Sequence, residues 1–325
     1  MPEVLEPMIG SNDLLGSPEA LRARLDRDSY LLLRGILDAD RVRALRKDIT
    51  DALAELGWID PDEPDVARAI GFPHREADPG YQEALGVLGK LESFHAFSHQ
   101  DQVMQVMTQV LGESAFPHPL GIIRMTFPQI PETTTPPHQD YLNNQGTPNL
   151  TACWMPLGDV SAELGGLAVL RGSHKRGLMP LRFHLGAGAR AAVISPEMED
   201  ELTWVSTDYQ AGDILIFPAL TVHAARVNHS KQFMRLSVDF RYQVEAEELT
   251  PHSLEPHLGG LSWDEIYADW RSDELKYYWR YKQYTVVPWD ANAHDLPDEM
   301  SKNEAYGEVV RFEYRREQEY VTRDR

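Results

Sequence analysis

The segment Phe233-Met-Arg-Leu-Ser-Val-Asp-Phe-Arg-Tyr242 alternates between polar and apolar side chains. Arg235, Ser237, Asp239 and Arg241 occupy the odd-numbered positions, and the even-numbered positions are apolar or aromatic. Because successive side chains of a β-strand point to opposite faces of a sheet, this alternation predicts a half-buried strand. We expect its polar face to line a cavity.

A second strand with clear boundaries lies upstream. Gly212-Asp213 is typical of a turn, Ile214–Phe217 is a short apolar run, and Pro218 ends that run. His223 follows in the next extended segment, Thr221–Val227. These boundaries predict that His223 folds back towards the rest of the sheet from far along the chain.

An earlier segment carries His138-Gln139-Asp140 directly after Pro136-Pro137. The two prolines disfavour a helix at this point. In an extended chain, residues two apart point to the same side, so His138 and Asp140 are expected to face one way.

The three residues His138, Asp140 and His223 form a set of metal ligands. Two histidines and one carboxylate suit a divalent iron and leave three open positions on one face of the metal. Arg235 lies twelve residues after His223, and its rigid guanidinium fork matches a carboxylate in a bidentate way. The set predicts an oxygen-activating iron enzyme that uses a small dicarboxylate as co-substrate, and Arg241 is the next candidate to hold that dicarboxylate.

On these residues the chain resembles the phytanoyl-CoA dioxygenase family of iron(II)- and 2-oxoglutarate-dependent oxygenases. The resemblance spans roughly residues 28 to 243 and follows the order of the family's motifs. It is specific for the family but not for the substrate. The segments that carry it are Tyr30–Leu37, Pro137–Asp140, Thr151–Leu157, Gly165–Lys175, Ala211–His223 and Asn228–Arg235.

The resemblance implies a role for each matching residue. His138, Asp140 and His223 would hold Fe(II) and form the catalytic centre. Arg235 would pair with the distal carboxylate of 2-oxoglutarate. Trp154 would lie beside the co-substrate or belong to the core, and the alternation of the strand places Ser237 on the same face as Arg235. O2 would be the second co-substrate, and succinate and CO2 would be released. Halogenating relatives lack the carboxylate ligand, so Asp140 favours hydroxylation or another oxidation over halogenation.

Residues that touch the substrate are harder to assign. Arg124 lies on the predicted strand Gly121–Phe127 and is expected to point at substrate, at co-substrate or into solvent. Tyr141 and Asn143 share the parity of Asp140 if that strand continues, and they are turn residues if it does not. The expected reaction is the hydroxylation, desaturation or cyclisation of an unactivated C–H bond in a small molecule, in specialised metabolism.

Two other classes of protein remain open from the residues alone. A mononuclear zinc hydrolase also uses histidine and aspartate ligands, but it leaves Arg235 without a role and no dedicated general base is evident. A non-catalytic cupin-like binding protein would keep the fold without turnover. The intact ligand set argues against that second alternative.

Composition excludes several partners. The 325 residues are 42% hydrophobic and 25% charged, which is ordinary for a globular protein. The formal net charge of −20 repels phosphate backbones and anionic membranes, and it argues against a polyanionic coenzyme A ester as substrate. We expect a small-molecule substrate, no nucleic acid, no membrane partner, and a monomer or homodimer.

Other features predict a cytoplasmic location. The chain has no long uncharged apolar run that would span a membrane. The acidic segment Met1–Glu6 lacks the basic and apolar regions of a secretory signal. The single cysteine, Cys153, excludes an intrachain disulfide and fits a reducing compartment.

Short apolar strands separated by Gly, Pro, Asn and Asp predict a mainly β protein with flanking helices. We expect a double-stranded β-helix, the jelly-roll or cupin-like core, with eight main strands in two facing antiparallel sheets. Residues 1–27 are predicted as an N-terminal arm and a short helix that begins at Ser17-Pro18. Residues 28–243 are predicted as the oxygenase domain, with buttressing helices at Asp38 to about Leu56 and Phe94–Leu111.

Three further segments carry weaker expectations. Residues 60–79 are predicted as a loop. Residues 171–202 are predicted as a basic insertion, either a lid or disordered. Residues 244–325 form an aromatic-rich C-terminal extension, expected to pack as helices on the core or on a second subunit, or to act as a lid over the pocket.

Overall fold

The computed structural model consists mainly of two facing β-sheets, with helices packed against one of them. It describes residues 5–71, 73–74, 78–131, 134–183 and 190–290. The strands are β1 Glu6–Pro7, β2 Leu31–Leu33, β3 Ala115–Thr126, β4 Thr151–Pro156, β5 Leu167–Leu170, β6 Leu181–Phe183, β7 Arg190–Ala192, β8 Trp204–Ser206, β9 Ile214–Pro218, β10 His223–Ala225, β11 Arg235–Val244, β12 Glu248–Leu249 and β13 Thr285–Val286. The helices are α1 Pro18–Asp28, α2 Ala39–Glu55, α3 Pro79–Leu88, α4 Glu92–Phe97, α5 Asp101–Leu111, α6 Tyr141–Asn144, α7 Pro196–Glu201 and α8 Trp263–Tyr267.

The two main sheets form the predicted double-stranded β-helix. One sheet has the order β2-β9-β4-β11-β3, and all its neighbours are antiparallel. The other has the order β1-β8-β5-β10, antiparallel except for the β1–β8 pair. Within the described residues, the expected eight core strands are present, and β1 is an additional edge strand.

The five-stranded sheet has two different faces. Towards the helices it presents apolar side chains such as Leu236, Val238 and Phe240, which join those of α2 and α5 in the largest core cluster. Towards the four-stranded sheet it presents Trp154, Leu215 and apolar neighbours at one end, and the polar residues of β11 at the other. The predicted alternation of β11 therefore separates a helix-side core from the space between the sheets.

The predicted helix at residues 38–56 is confirmed as α2. The Asp38 side chain accepts hydrogen bonds from the backbone N–H groups of Asp40 and Arg41, which satisfies two donors of the first turn. The helix predicted from Ser17 is confirmed as α1, although the Ser17 side chain makes no capping hydrogen bond. Helix α3 was not predicted; the residues described between 60 and 78 form loops and one short 3-10 turn at Pro64–Val66.

The single helix predicted at Phe94–Leu111 is wrong, because the chain forms two helices, α4 and α5, separated at residues 98–100. The carbonyl of Ser98 accepts a hydrogen bond of 2.8 Å from the Tyr242 hydroxyl on β11. The His99 ring stands edge-on to Tyr278, with ring centroids 4.4 Å apart. These contacts come from distant parts of the chain, so tertiary packing overrides the local preference for a continuous helix.

The N-terminal arm is docked along residues 5–14. β1 pairs with β8 in parallel, and the backbone N–H of Ser11 donates to the carbonyl of Leu32 over 2.8 Å. Met8 and Ser11 are buried. Residues 1–4 lie outside the described residues, and so does the C-terminal extension after residue 290.

The aromatic residues of the C-terminal extension pack on the helix side of the molecule. Trp263, Tyr267, Trp270 and Trp279 form their own cluster. The Trp270 ring lies 5.1 Å from the ring of His95 on α4, and its Nε1 donates to the carbonyl of Lys90. This cluster buttresses α4. Further along the extension, Gln145 and Asp290 exchange two hydrogen bonds, and the guanidinium carbon of Arg190 lies 6.0 Å from the Trp289 ring centroid. The lid alternative stays a prediction.

The predicted insertion at 171–202 folds against neighbouring elements where it is described. β6 and β7 form a hairpin, and the Ala192 N–H donates to the carbonyl of Pro137 over 2.7 Å. Three of its cations pair with acids: Arg171 with Glu6, Lys175 with Asp26, and Arg176 with Glu201. Residues 184–189 and the side chain of Arg182 lie outside the described part. In the described chain, none of the helices has the length and apolar character needed to cross a membrane.

Candidate metal centre and co-substrate pocket

An antiparallel bridge brings His138 next to His223. The N–H of His138 donates to the carbonyl of His223 over 2.9 Å, and the N–H of His223 donates back over 3.1 Å. The two ring centroids are 4.1 Å apart. The backbone of the sandwich therefore places these two side chains side by side although they are far apart in sequence.

Asp140 completes a compact group of three buried side chains. One ligand atom from each residue lies within 4.8 Å of the others. Asp140 Oδ1 is 3.7 Å from Nε2 of His138 and 3.8 Å from Nε2 of His223. This spacing leaves a common point that a metal ion bound by all three atoms would occupy.

Each histidine ring is fixed by a second contact. Nδ1 of His138 donates to the carbonyl of Pro136 over 2.8 Å, and Nδ1 of His223 donates to the carbonyl of Thr221 over 3.0 Å. Because Nδ1 carries the proton, the lone pair of Nε2 points to the common point. Backbone carbonyls hold metal-binding histidines in this tautomer in many proteins.

The electrostatics of the group suit a cation. Burial lowers the pKa of His138 to about 3, and burial also lowers the pKa of His223, so both rings are neutral near pH 7. Burial alone would raise the pKa of the Asp140 carboxyl, but the positive charge of Arg241 outweighs it and holds that pKa well below its ordinary value. Two neutral imidazoles and one carboxylate are the protonation states that metal binding requires.

Gln139 lies between two of the predicted ligands in sequence but points away from them. Its Nε2 donates to the carbonyls of Gly177 and Leu220, at 2.8 and 2.6 Å. Its Oε1 accepts from the N–H of Met179 over 2.7 Å. The residue between the ligands thus ties the start of the insertion to the loop before β10.

The strand that carries His138 does not continue past Asp140, so Tyr141 and Asn143 do not share its parity. They are turn residues, as the alternative prediction has it. Asp140 has helical dihedral angles, and the single helical turn α6 follows it. The Asn144 side chain and the Asn143 N–H both donate to the Asp140 carbonyl, which closes this turn. Asn143 Oδ1 accepts a hydrogen bond of 2.8 Å from Arg190 on β7, so its contact with a substrate stays a prediction.

Arg235 is buried between the sheets, with 3% of its surface exposed. Its Nη1 donates to the hydroxyl of Ser237 over 2.6 Å, and its Nη2 donates to the hydroxyl of Thr126 over 2.7 Å. Its Nε has no hydrogen-bond partner, and within the described chain no carboxylate forms an ion pair with it. Burial, followed by the nearby charge of Arg124, lowers the pKa of Arg235 to about 10, so it remains a cation at neutral pH.

Ser237 and Trp154 stand beside Arg235, as the sequence predicts. The Ser237 hydroxyl accepts hydrogen bonds from Arg235 and, over 3.0 Å, from Nε1 of Trp154. The guanidinium carbon of Arg235 is 5.9 Å from the Trp154 ring centroid, and Tyr209 packs edge-on against that ring. Sequence reasoning missed Thr126, although it shares strand parity with Arg124 and pairs in register with Arg235.

Arg124 points into the space between the sheets rather than into solvent. Its Nε donates to Oδ1 of Asp239 over 3.3 Å. Asp239 Oδ2 pairs with Arg241 Nη1, and Arg241 Nη2 lies 2.9 Å from Oδ2 of Asp140. Sequence reasoning placed Asp239 and Arg241 on the polar face, but it missed their connection to a metal ligand.

This fold and this site define a class of protein. A double-stranded β-helix that gathers two histidines and one carboxylate around one point has the ligand set of a mononuclear non-haem iron oxygenase. Arg235 on β11, which is buried and has no anionic partner in the described part of the chain, adds a place for a carboxylate co-substrate.

Comparisons with known proteins identify the family. The model of the phytanoyl-CoA dioxygenase (PhyH) family matches residues 25–237. The chain therefore belongs to the phytanoyl-CoA dioxygenase family, and it is an oxidoreductase that depends on Fe(II) and 2-oxoglutarate. Family membership decides against the zinc hydrolase and the non-catalytic binding protein that the residues alone left open.

Relatives of this chain are named as hydroxylases. It is 26% identical over 267 residues to 1-deoxypentalenic acid 11-beta-hydroxylase of Streptomyces exfoliatus, covering 79% of this chain and 92% of the relative. The enzyme of the same name from Streptomyces arenae is 26% identical over 254 residues, covering 75% and 87%.

Solved structures share the fold. The alpha-ketoglutarate-dependent epimerase SnoN from nogalamycin biosynthesis superposes with a TM-score of 0.51 at 18% identity, covering 71% of this chain and 84% of that chain. The carbocyclase SnoK from the same biosynthesis superposes with a TM-score of 0.51 at 18% identity, covering 78% and 94%. At this level of identity the likeness concerns the fold alone.

Proposed function

We propose that this oxygenase hydroxylates a C–H bond of a small, largely apolar acid. His138, Asp140 and His223 bind the Fe(II), and Arg235 binds the distal carboxylate of 2-oxoglutarate. The observation that carries the proposal is a buried triad of ligand atoms within 4.8 Å, together with a buried arginine on the inner face of β11 whose hydrogen-bond partners among the described residues are neutral hydroxyl groups.

The donor set fits Fe(II). Two imidazole Nε2 atoms and one carboxylate oxygen converge, and each imidazole is held in the tautomer that leaves Nε2 free. Such a set uses three positions of an octahedral ion and leaves three for co-substrates. When bound, the iron supplies O2 activation coupled to the oxidative decarboxylation of 2-oxoglutarate to succinate.

The residues of β11, β3 and β4 orient the co-substrate. Arg235 presents its guanidinium to one carboxylate, while Ser237 and Thr126 fix the guanidinium plane through two hydrogen bonds. Trp154 covers one side of this pocket and keeps water from the charged contact. A carboxylate bound in this low-dielectric site gains charge-assisted hydrogen bonds from a donor that needs no reorganisation.

The charges between the sheets support an anionic substrate. Among the described residues, Arg124, Arg235 and Arg241 lie here with Asp140 and Asp239, and the two metal-binding histidines are neutral at pH 7. The two charges of Fe(II) are balanced by the two carboxylates of 2-oxoglutarate, which leaves one positive charge in excess. A substrate with a single carboxylate neutralises this excess. The relatives in Streptomyces are named for such an acid.

Hydroxylation is the preferred reaction within the class. Asp140 fills the ligand position that halogenating relatives leave open, and the relatives at 26% identity are hydroxylases by name. We further propose that residues 28–243 form the catalytic domain, and that the enzyme works in the cytoplasm as a monomer or homodimer. The buried free thiol of Cys153, the only cysteine, supports a reducing compartment.

The test supplies Fe(II), 2-oxoglutarate and O2 with 1-deoxypentalenic acid, and in parallel with its methyl ester as a matched neutral control. We expect the acid to increase succinate release and to yield a product with one added oxygen atom, and the ester to do neither. Equal stimulation by the ester contradicts carboxylate recognition. If neither compound yields a product, this substrate class is contradicted. Fe(II) binding to the three ligands is tested separately.

A further inference from the structure

The two oxygens of the Asp140 carboxylate have different surroundings. Oδ1 lies 3.7 and 3.8 Å from the Nε2 atoms of His138 and His223, so it faces the metal position. Oδ2 lies 2.9 Å from Nη2 of Arg241, with both side chains almost fully buried. One oxygen is therefore directed to the metal and the other to a fixed cation.

Arg241 is itself held from behind. Its Nη1 pairs with Oδ2 of Asp239, and Oδ1 of Asp239 accepts a hydrogen bond from Nε of Arg124. These contacts form a chain of alternating charges from β3, through β11, to the metal ligand. A guanidinium has two outer nitrogens in a rigid plane, so Arg241 contacts both aspartates at once. A lysine has a single ammonium nitrogen and does not offer two donors in this fixed arrangement.

The strand geometry around Arg241 is irregular. The pairing of β11 with β3 shifts between Phe240 and Tyr242, so that Phe240 pairs with Gly121 and Tyr242 with Pro117. Pro117 and the nearby Pro119 lack the N–H groups that a regular ladder needs. The extra residues, 118–120, belong to β3 and stand opposite Arg241, which keeps its regular partner Ala152 on β4. Irregular pairing of this kind is common next to functional sites.

We propose that Arg241 is a positioning residue that restricts Asp140 to one metal–oxygen contact. This inference rests on the proposed function of the triad. A carboxylate with two free oxygens is able to chelate a metal and to take a fourth position. With one oxygen held by Arg241, three positions stay open, which is the number that a bidentate 2-oxoglutarate and one O2 require. Arg241 thus preserves the position for O2 without contacting any reactant.

The test compares two arginine variants, each of which removes the ion-pair partner of a buried aspartate. Arg241→Met removes the contact with Asp140. Arg34→Met is the matched control, since Arg34 pairs with the buried Asp213, between β2 and β9 and outside the metal centre. For each apoprotein the dissociation constant of Fe(II) is measured anaerobically, together with the melting temperature and the visible d–d spectrum of the Co(II)-loaded protein.

We expect Arg241→Met to weaken Fe(II) binding by about 10- to 100-fold, the usual effect of removing a partner of a metal ligand. Its Co(II) spectrum should differ from that of the wild type, because the carboxylate changes its mode of binding. Arg34→Met should lower the melting temperature but leave both metal readouts unchanged. Arg241→Lys should restore part of the affinity, because it returns the charge but not the fork.

Unchanged Fe(II) affinity and an unchanged Co(II) spectrum in Arg241→Met overturn the inference and leave Arg241 with a structural role only. If that variant does not fold, Asp239→Asn replaces it, and the same two readouts decide. Failure of the proposed function is distinguishable, because the wild type itself then binds no Fe(II), or Asp140→Ala binds it as tightly as the wild type does.

Discussion

The two faces of β11 are equally buried and chemically opposite. Leu236, Val238 and Phe240 on the helix side are 0–2% exposed, and Arg235 and Arg241 on the inner side are each 3% exposed. Solvent access therefore does not explain why one face is apolar and the other charged. The apolar face contributes to the core that contains α2 and α5, whereas the inner face holds Arg235, which has no anionic partner among the residues that the structure describes.

The difference separates stability from chemistry on a single strand. Burial of apolar surface stabilises the fold directly. Burial of charges is unfavourable unless each charge is paired, and Arg235 stays unpaired until an anion enters. Substitutions on the apolar face should therefore change the free energy of unfolding, and substitutions on the inner face should change binding and turnover.

The largest expected effect is loss of turnover in His138→Ala. This change removes one of three ligand atoms, so Fe(II) binding and succinate formation should both be abolished while the melting temperature of the apoprotein changes little. His118→Ala is the matched control, because His118 is also buried between the sheets but bonds to Gln243 and not to the triad. Wild-type activity in His138→Ala would contradict the metal assignment.

On the opposite face, Phe240→Ala should destabilise the fold by about 3–5 kcal/mol, the usual cost of removing a buried phenyl group. Phe240 packs against Phe94 of α4 with ring centroids 5.3 Å apart. Urea unfolding measures the change, and the dissociation constant of 2-oxoglutarate for the folded variant should equal that of the wild type. Weaker 2-oxoglutarate binding without loss of stability would contradict the assignment of stability to the apolar face and of binding to the inner face.

Arg235→Gln should weaken 2-oxoglutarate binding by about 1.5–3 kcal/mol, the scale of hydrogen bonds to a charged group. The reason is the loss of a guanidinium that is already oriented by two hydroxyl groups. Anaerobic calorimetry on the Fe(II)-loaded protein measures the change, with Arg34→Gln as control. An unchanged dissociation constant would move the anchor to another residue of the inner face.

The last expected effect is gradual and concerns pH. Burial lowers the pKa of His118 to about 4, whereas an unfolded histidine titrates near 6.5. Between about pH 6.5 and pH 4, His118 is protonated in the unfolded chain but neutral in the folded one. Protonation therefore favours the unfolded chain in this range, and the free energy of unfolding falls as the pH falls from 6.5 towards 4. The apoprotein should lose about 1.4 kcal/mol per pH unit for this histidine. His118→Asn should show a correspondingly shallower decline, and an identical decline would contradict the assignment.

Patterns with a regular period could be predicted from sequence. The alternation of residues 233–242 predicted β11 and its two faces, and the run from Gly212 to Pro218 predicted β9. The order of the motifs predicted that His138, Asp140 and His223 form one group, and the fold does bring these three together. The strand predictions depend on neighbours in the chain, whereas the ligand group was found from the residue types and the order of the motifs.

Features that depend on distant partners could not be predicted. The break between α4 and α5 involves a hydroxyl of Tyr242, which lies on β11. The turn after Asp140 ended the strand on which the parity of Tyr141 and Asn143 was based. The alternation of side chains places Arg241 on the inner face, but it carries no information about the contact between Arg241 and Asp140, which comes from a distant segment.

The most direct test of the central claim is an anaerobic titration of the apoprotein with Fe(II) and then with 2-oxoglutarate, followed by visible absorption. If the inner face binds both, a saturable charge-transfer band appears, it is absent in His138→Ala, and it needs much more 2-oxoglutarate in Arg235→Gln. Tight binding of Fe(II) with no band at any concentration of 2-oxoglutarate would contradict the account.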